Sequence, residues 1–377
     1  MRVVVEPEYS LSQWCKEILS GIRAAAAKKK QTVAFFDNAD DITGGNTRES
    51  VFVVGSSLRW ITETANICQN KNLHPIILAN QSVNPVLGIF SCVYCDIRSM
   101  IFELTSRLNK IGKKRIAIYG VNSHSLPDLE RVDAFMQYCQ EFPRGEHTNN
   151  NNIFNNDYSL EECFKSFLPF ADDYDAVLCT NDFTAISLIR RLQKQNYDLN
   201  RLMVVSTAGT RLSRWFHPRF ESVHFRYADF GKAGFLIANA LMKETDFTAV
   251  TVKIRWSTTT GLLSGGEDDL MGVAVPEEAE SQMFYTDAEI LKMLRAEQTL
   301  DVCDKTDFRL LLGIFKGETL EQLGERCFIS QTTLKYRINA LKNVTKMGSR
   351  KELASFLKEY VSPELLEKDL ENQMYGE

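Results

Sequence analysis

The sequence predicts an α/β protein of two lobes followed by an all-α C-terminal module, and three observations lead to this. Residues 1 to about 260 alternate short β-rich apolar runs with amphipathic segments of helical length, a pattern typical of parallel sheets covered by helices on both faces. The predicted strands are too numerous for one small sheet, so two sheets are the simpler arrangement. After Gly261 the sequence becomes rich in glycine and acidic residues, and the apolar spacing beyond that stretch stays helical.

Each predicted strand is a short apolar run, and the segments between most strands are long enough for several helical turns. The predicted strands span residues 2–5, 32–36, 51–54, 76–79, 115–119, 176–179, 202–206, 222–226 and 251–256. The predicted helices span residues 11–29, 58–69, 97–108, 129–140, 183–194 and 230–242. Residues 147–157 are rich in asparagine and predict a surface loop around a weak strand.

The loops that follow the strands predict where a ligand would bind. In open parallel sheets a ligand lies beyond the carboxyl ends of the strands, where these loops place polar side chains and helix N-termini. Such loops are nearly all polar here, and they span residues 6–10, 55–57, 80–82, 120–125, 180–182 and 206–210.

Composition argues against several classes of protein. The chain of 377 residues has 44 Lys and Arg against 49 Asp and Glu, and a net charge of −5 argues against a surface that coats nucleic acid along its whole length. Nine cysteines in apolar segments predict reduced thiols. Cys92 and Cys95 lie three residues apart in an extended run and so on opposite faces of a strand, which argues against a metal site. No metal or cofactor is predicted.

Two features at the level of the whole chain predict its location. No apolar run reaches the ~18 residues of a membrane helix. The N-terminal residues enter a strand pattern without the apolar block of a signal peptide. We therefore expect a cytoplasmic protein without a membrane segment.

The C-terminal part predicts four short helices after an amphipathic helix within residues 284–300. Asp304 caps the first and Gly317 closes it, Thr319 opens the second with a capping box, and Ser330 caps the third. The fourth spans residues 347–360. Apolar residues at helical spacing along the first and third are Phe308, Leu311, Leu312, Phe315, Leu334, Ile338 and Leu341.

The second and third of these helices, residues 319–327 and 331–343, have the dimensions of a helix-turn-helix. No Asp or Glu occurs from Arg326 to Lys351, although the interval is rich in Lys and Arg. Basic side chains held against phosphates release counterions and supply affinity for DNA. The polar run Gln331, Thr332 and Thr333 can donate to phosphates or base edges. On the side opposite the apolar stripe, Lys335, Tyr336 and Asn339 are placed to enter a major groove. The alternative interpretation is an ordinary solvated helix face.

The stretch GETLEQLGERCFISQTTLKYRINALKNVTKMGSRKELASF resembles the LuxR/GerE-type DNA-binding module, with a scaffold helix, an F-I-S turn, a T-L-K start of the recognition helix and a final helix in that order. The resemblance covers residues 304–361. It implies base-reading positions at Lys335, Tyr336 and Asn339. It also implies phosphate contacts at or near Ser330, Thr332, Thr333 and Arg337. Gly324 departs from the usual scaffold helix, and glycine there costs about 1 kcal/mol relative to alanine.

The larger region resembles the effector-binding domain of LacI/GalR-type regulators, which is similar to periplasmic sugar-binding proteins. The resemblance depends on the order and spacing of SVFVVGSS, HPIILANQSVNP, KKRIAIYGVNSHSLPDLERVDAFMQY, DAVLCTNDFTAISLIRRLQ and FESVHFRYADFGKAGFLIANALM. It implies a two-lobed, type I periplasmic-binding-protein-like fold. It also implies three strands crossing between the lobes, near residues 93–96, 224–227 and 252–256.

Positions that touch the effector in that family correspond to Asn80, Arg131, Asn181 and Tyr227. Arginine supplies a fixed fork of donors, and asparagine supplies both a donor and an acceptor. Three aromatic residues in or just after lobe-edge loops are further candidates for stacking on a ligand: Tyr9, Trp14 and Trp60.

Structural alternatives remain for three of these positions. Tyr227 could pack at the hinge, Arg131 could form a surface ion pair, and Asn181 could cap the helix that follows it. The sequence also departs from sugar-responsive members, which carry Asp after the late strand, because Ala208 and Gly209 stand there. That departure argues against a sugar ligand.

These observations divide the chain into an effector-binding domain (1–261), an acidic linker with a connecting helix (262–300), a helix-turn-helix domain (301–362) and a tail (363–377). The sequence predicts a non-enzymatic transcription regulator. Its expected partners are a double-stranded DNA operator, a small-molecule effector (a sugar or another small metabolite) and a second copy of itself. Residues 262–300 are expected to carry the coupling between effector and operator.

Three alternative functions stay open. An α/β enzyme is disfavoured because the common nucleotide-binding and hydrolase motifs are absent from the sequence. A solute-binding subunit of a transporter would need a signal or lipid anchor. A protein-interaction adaptor would use the helical module to bind a partner instead of DNA.

Overall fold

The computed structural model describes residues 1–45, 49–80, 89–141, 152–218, 220–243, 247–258 and 287–375. Within these residues two six-stranded sheets form two lobes, and a helical module follows them. The predicted acidic stretch at 262–283 and parts of the predicted loops at 80–82 and 147–157 lie outside the described residues.

The first sheet is parallel throughout, and its four inner strands are mostly apolar and buried on both faces, as parallel sheets require. Its spatial order is β11, β5, β4, β3, β1, β2. The strands along the chain are β1 (Arg2–Val5), β2 (Ala34–Phe36), β3 (Ser50–Gly55), β4 (His74–Ala79), β5 (Ser91–Cys95) and β11 (Thr251–Ile254).

The second sheet is parallel except at one edge. Its spatial order is β12, β10, β9, β8, β6, β7, and the pairing of β10 with β12 is antiparallel. The strands along the chain are β6 (Ile116–Val121), β7 (Ile153–Asn155), β8 (Ala176–Cys179), β9 (Met203–Ser206), β10 (Glu221–Phe225) and β12 (Trp256–Thr258).

Helices connect the strands and build the C-terminal module. Those of the two lobes are α1 (Gln13–Lys28), α2 (Leu58–Asn70), α3 (Ile97–Lys110), α4 (Leu126–Glu141), α5 (Leu160–Phe167), α6 (Asp182–Lys194), α7 (Arg211–Trp215) and α8 (Asp229–Lys243). Those of the module are α9 (Ala288–Val302), α10 (Lys305–Lys316), α11 (Leu320–Cys327), α12 (Gln331–Thr345), α13 (Arg350–Lys358) and α14 (Pro363–Tyr375).

The chain passes between the lobes three times, close to the predicted positions. It crosses after β5, where α3 joins the second lobe, and again after β10, where α8 returns to pack on α1. The third crossing corrects the predicted strand 251–256. That run is two strands, since β11 belongs to the first sheet and β12 to the second, with Arg255 between them. A continuous β-run in the sequence does not show that its two halves pair with different sheets.

Two glycines allow α1 and α8 to approach closely next to the second crossing. A Cβ on Gly21 would lie 2.0 Å from the backbone oxygen of Ala228, and a Cβ on Gly231 would lie 2.3 Å from the carbonyl carbon of Gly21. The two helix backbones are therefore in direct contact, and no larger side chain fits between them without a shift.

The predicted helix caps are confirmed in the C-terminal module. Asp304, Thr319 and Ser330 each accept a hydrogen bond at a helix N-terminus, and Gly317 ends α10 in the left-handed conformation. Gly324 lies inside α11, where a Cβ would be 3.4 Å from the Ile329 carbonyl oxygen. A Cβ at this position would make an ordinary contact with the turn, so the packing does not require glycine at 324.

The module packs on the second lobe. Residues of α9 to α14 share one hydrophobic core cluster with residues of β6, α5 and α6. Arg190 binds Glu359 at 2.9 Å, Arg191 binds Glu289 at 2.7 Å, and the Ser362 amide donates to the Trp215 carbonyl at 2.8 Å. Residues 363–375, which were predicted as a tail, form α14 within this contact. Helices α5 and α7 were likewise not predicted.

The two cysteines of the C-x-x-C pair lie on opposite faces of β5, as predicted. Cys92 packs in a small cluster with residues of α2, and Cys95 packs in the large cluster that includes α1 and α8. Burial raises the pKa of both thiols. Among the described residues no group of three or more His, Cys, Asp or Glu is placed to hold a metal ion. Those residues also include no helix long and apolar enough to cross a membrane.

Candidate functional site

The strand-end loops of the first lobe are organised by Glu6, which follows β1. Its carboxylate accepts hydrogen bonds from the amides of Ser56 and Ser57 at 2.7 and 3.1 Å, at the point where β3 leads into α2. Burial raises the pKa of Glu6. Asn80, predicted from the next strand end, accepts from the Ser56 hydroxyl at 3.0 Å. The loops after β1, β3 and β4 are therefore joined at one edge of the sheet.

Arg131 of α4, in the second lobe, forms the ion pair considered as its structural alternative, with Asp128, but only 12% of its side chain is exposed. Its guanidinium donates to Asp128 Oδ1 at 2.8 Å and, through Nε, to Thr207 Oγ1 at 3.0 Å. Burial raises the pKa of Asp128, while the neighbouring Arg131 lowers it. The Thr207 hydroxyl donates in turn to the Thr180 carbonyl at 2.7 Å. Arg131 thus fixes the loops after β8 and β9 relative to α4.

Asn181 caps α6. Its Oδ1 accepts from the Thr184 amide at 3.1 Å, and the Thr184 hydroxyl completes a capping box. The structural alternative considered for Asn181 is therefore present in the fold. Its Nδ2 lies 3.4 Å from Thr180 Oγ1 and faces the same strand-end loops.

Three predicted aromatic residues form a chain of rings at the second crossing between the lobes. The ring centroids of Tyr9 and Trp14 are 5.9 Å apart, and those of Trp14 and Tyr227 are 6.5 Å apart. All three are half-buried. Burial beside Cys95 raises the pKa of Tyr227 well above its ordinary value, so its hydroxyl stays protonated. This arrangement supports the hinge-packing interpretation of Tyr227 and leaves ring faces at the lobe junction.

Trp60 lies apart from that chain of rings. It packs over Gly55, where a Cβ would come within 2.8 Å of both the indole ring and the Glu6 carboxylate. Trp60 is half-buried among apolar residues of the first lobe. The structure therefore places it next to the Glu6 loop, on the first lobe alone.

The loop after β9 holds no carboxylate, because Ala208 and Gly209 occupy it. The nearby buried acid is Asp182 of α6, which is fully buried. It accepts from the Thr210 amide at 2.6 Å, from the Thr210 hydroxyl at 2.8 Å and from the Ser222 hydroxyl at 2.6 Å. Asp182 therefore serves to hold the loop.

The predicted DNA-reading residues lie on the exposed side of α12. Leu334, Ile338 and Leu341 are buried, while Lys335 and Asn339 are exposed and Tyr336 retains 74% of its surface. The polar residues that begin this face, all exposed, are Ser330, Gln331, Thr332 and Thr333.

Two basic residues of the acid-free interval are engaged within the module. Arg326 forms an ion pair with Glu318, and Arg337 donates to Asp304 at 2.9 Å and to Asp307 at 2.8 Å. The hydrogen bond to Asp307, followed by that to Asp304, raises the pKa of Arg337. Arg337 therefore joins α12 to α10, a role that sequence reasoning did not assign to it. The sequence places Asp304 and Asp307 at the start of α10. It does not show that they pair with α12, because that pairing is a tertiary contact.

Sequence reasoning also missed Thr207, Asp128 and Asp182. Each lies in a strand-end loop or at a helix start, where a threonine or aspartate in the sequence indicates only a helix cap. Glu297 of α9 was also missed. Its carboxylate is buried against the second lobe, which an amphipathic helix pattern does not reveal.

Comparison with known proteins identifies relatives of the two-lobed region. Residues 59–208 match the family described as periplasmic binding proteins and sugar binding domain of LacI family. Catabolite control protein A of Staphylococcus xylosus is 27% identical over 192 residues, which are 49% of this chain. The chain spans only about half of that relative, 56% of its length.

Solved structures show the same fold at lower identity. A complex of the transcriptional regulator CelR with cellobiose aligns with a TM-score of 0.55 at 14% identity, over 69% of this chain and 83% of its own. The transcription regulator CcpA of Lactococcus lactis aligns with a TM-score of 0.54 at 15% identity, over 69% of this chain and 97% of its own. Residues 59–208 are therefore similar to the LacI family, and the two lobes share the fold of these solved regulators.

Proposed function

We propose that this chain is a transcription regulator that binds double-stranded DNA through α11 and α12 and responds to a small molecule bound between its lobes. The observation that carries the proposal is the exposed face of α12. Lys335, Tyr336 and Asn339 point away from the core on a capped helix, within an interval that contains no acidic residue.

The geometry of α11 and α12 supports a helix-turn-helix. Three residues separate the helices, and Phe328 takes the left-handed conformation that turns the chain. The Gln331 side chain donates to the Leu320 carbonyl at 3.1 Å and holds the start of α12 against α11. Polar residues at the start of a recognition helix reach phosphates and base edges when the helix lies in a major groove.

The strand-end loops support a ligand site between the lobes. Asn80 lies at a strand end of the first lobe, Arg131 binds the strand-end loops of the second, and the rings of Trp14 and Tyr227 pack where the chain crosses between the lobes. The similar proteins include named regulators, and one was solved with cellobiose. A sugar or another small metabolite is accordingly the proposed effector. A sugar would have to bind without a carboxylate from residues 208–209.

The regulator is proposed to act as a homodimer, since two copies of the reader would contact two half-sites and multiply specificity. The names of the similar proteins favour this function over an α/β enzyme, because they are transcription regulators.

The decisive experiment selects DNA with the full-length chain from a pool of random 30-base-pair duplexes and measures binding to the enriched duplex by fluorescence anisotropy. Lys335→Ala and Asn339→Ala should each weaken binding at least about fivefold, which corresponds to about 1–3 kcal/mol. Lys110→Ala, an exposed lysine on α3 in the second lobe, is the matched control and should leave affinity unchanged. If no duplex is enriched, or if all three variants bind equally, the proposed DNA-binding role is wrong.

The effector is tested on the same enriched duplex by adding cellobiose and then a panel of other sugars and small metabolites. A compound that binds the lobes should change DNA affinity by a fixed factor, and DNA should change the affinity for the compound by the same factor. Failure of every compound to change DNA affinity would leave a DNA-binding protein without the proposed response.

A further inference from the structure

The loop between β9 and α7, residues 207–210, connects the predicted ligand-binding loops to the module. At its start, Thr207 is held between Arg131 Nε and the Thr180 carbonyl. At its end, Thr210 is held by Asp182. In between, the Gly209 amide donates to Ser222 Oγ at 2.9 Å, and a Cβ on Gly209 would lie 2.2 Å from His224 Cβ. The loop is therefore tightly packed, so a displacement of Thr207 is passed to α7 instead of being absorbed.

The N-terminus of α7 is bound by Glu297 of α9. The amides of Arg211 and Leu212 donate to Glu297 Oε1 at 2.7 Å and to Oε2 at 2.8 Å. Each carboxylate oxygen accepts a hydrogen bond from one amide, so the contact fixes both the orientation of α9 relative to α7 and the distance between the two helices. The Arg211 guanidinium adds a hydrogen bond to the Leu300 carbonyl at 2.7 Å and an ion pair with Asp301 at 3.1 Å.

The path from α9 to the DNA-reading helix is short. Only Cys303 and Asp304 separate α9 from α10, and α12 packs on α9. Asp304 and Asp307 at the start of α10 hold Arg337 of α12. Buried Leu300, Leu310 and Leu334 belong to the same core cluster. Helices α9, α10 and α12 are thus packed into one unit, and a shift of α9 moves α12.

A cavity of about 610 Å³ borders the Glu297 contact. It is lined by residues of both lobes and of the module, among them Glu17 of α1, Thr210, Tyr227 and Glu297. Space at this junction allows α7 and α9 to change position when the lobes move. Glu17 of the first lobe faces this region, and the charges of Asp301 and Arg211 act on it.

We propose that Glu297 is the positioning residue that transmits a change at the ligand-binding loop, through the α7 amides, to the DNA-binding helices. This deepens the proposed function and rests on it. The route would couple the ligand-binding loop of the second lobe directly to the helices of the module. It assigns the coupling expected of residues 262–300 to one contact near the end of that range.

The competing explanation is that Glu297 only attaches the module to the lobe. A matched control on the same helix separates the two. Glu289 also binds α9 to the second lobe, by its ion pair with Arg191 at 2.7 Å, but it contacts α6 and not the loop after β9. Simple attachment predicts that loss of Glu289 and loss of Glu297 have similar effects. Transmission predicts that only loss of Glu297 disconnects the loop from α9.

The test is a double-mutant cycle on the full-length chain, read by hydrogen exchange of peptides from α9 and α10. Thr207→Val removes the hydroxyl that bonds to Arg131 and to the Thr180 carbonyl while keeping the side-chain shape. Glu297→Gln leaves one acceptor oxygen for two amides, and Glu289→Gln neutralises the control acid. We expect Thr207→Val to speed exchange in α9 at least threefold in the otherwise unchanged chain and in Glu289→Gln. In the Glu297→Gln background we expect Thr207→Val to speed exchange in α9 by less than 1.5-fold.

The same cycle is measured on affinity for the selected duplex, where Thr207→Val should change affinity except in the Glu297→Gln background. If Glu297→Gln does not fold, Glu297→Asp, which keeps the charge but shortens the side chain, replaces it. The proposal is overturned if Thr207→Val leaves α9 exchange unchanged, or if its effect is equal in the Glu297 and Glu289 backgrounds. Failure to bind DNA at all would refute the proposed function and would leave the hydrogen-exchange cycle as an independent result.

Discussion

Arg337 Nη1 lies 2.8 Å from Asp307 Oδ1, and this contact joins α12 to the first turn of α10. Arg337 belongs to the acid-free basic interval, yet its charge is directed toward the module. The basic interval therefore contains two kinds of residue: some hold the module together, and others remain on the outer face of α12.

Replacing Arg337 tests that distinction. Arg337→Ala should lower the free energy of unfolding by about 1–2 kcal/mol, because Asp307 is mostly buried and loses a charged hydrogen-bond partner. Lys335→Ala should leave it within about 0.5 kcal/mol, because Lys335 is exposed. Urea denaturation followed by circular dichroism measures both. Equal stability of the two variants would contradict the structural role of Arg337.

The salt dependence of DNA binding separates phosphate contacts from base contacts. If Lys335 lies against a phosphate, Lys335→Ala should reduce the slope of log affinity against log salt concentration by about 1. Asn339→Ala removes no charge and should leave the slope unchanged while lowering affinity. Anisotropy titrations at several salt concentrations give both slopes. An unchanged slope for Lys335→Ala would instead favour a contact of Lys335 with a base edge, the position that the LuxR/GerE resemblance implies.

Two variants separate the capping role of Asn181 from its proposed contact with a ligand. Asn181→Ala should cost about 1 kcal/mol of stability because α6 loses its cap. Asn181→Ser keeps a capping oxygen and should cost little, but it removes the amide donor. Thermal melts measure stability, and titration of an identified effector measures affinity. Loss of affinity in both variants, with stability kept in the serine variant, would show a ligand contact, whereas full affinity in the serine variant would show capping alone.

The close packing of α1 on α8 makes Gly231 sensitive to substitution. Gly231→Ala places a Cβ 2.3 Å from the backbone of Gly21 and should lower the free energy of unfolding by about 1–3 kcal/mol. Lys232→Ala, at the exposed neighbouring position on α8, should be nearly neutral. Denaturant midpoints check both variants. A neutral Gly231→Ala would mean that the two helices separate without cost.

Glu297 should make stability depend on pH. Burial raises its pKa from 4.5 to about 7, against the lowering effect of the Arg211 and Leu212 amides, and the charges of Asp301 and Asp182 raise it further. Because the folded pKa lies above the unfolded value, its contribution to stability is fully present below pH ~4.5 and is lost as pH rises through about 7.

The measurement compares the chain with Glu297→Gln between pH 5 and 8. Half-buried Asp301 and Glu17 also have raised pKa values and contribute in the same direction in both proteins, so the difference between the two proteins reports mainly on Glu297. The unfolding free energy of the unchanged chain minus that of Glu297→Gln should fall as pH rises through this range, by up to about 1.4 kcal/mol per unit of pH. A difference that is constant with pH would show that Glu297 does not titrate there.

Most of the local structure could be predicted from this sequence, because local signals decide it. Caps at Asp304, Thr319 and Ser330 and the αL glycine at 317 follow from short-range hydrogen bonding and backbone sterics. Buried parallel strands such as β1 and β8 follow from short apolar runs, and both were predicted at their observed bounds. The short helices α5 and α7 were not predicted because they show too few turns of periodicity, whereas α11, which is as short as α5, was predicted from its capping box.

The sequence by itself determined that a two-lobed α/β region precedes a helical module and that one helix of the module presents a basic, acid-free face. Only the tertiary structure decided which charges stay on that face, which side of Arg255 joins which sheet, and that Glu297 meets the amides of α7. The physical reason is that pairing of strands, ion pairs and buried carboxylates depends on residues far apart in the chain, whose proximity no local pattern encodes.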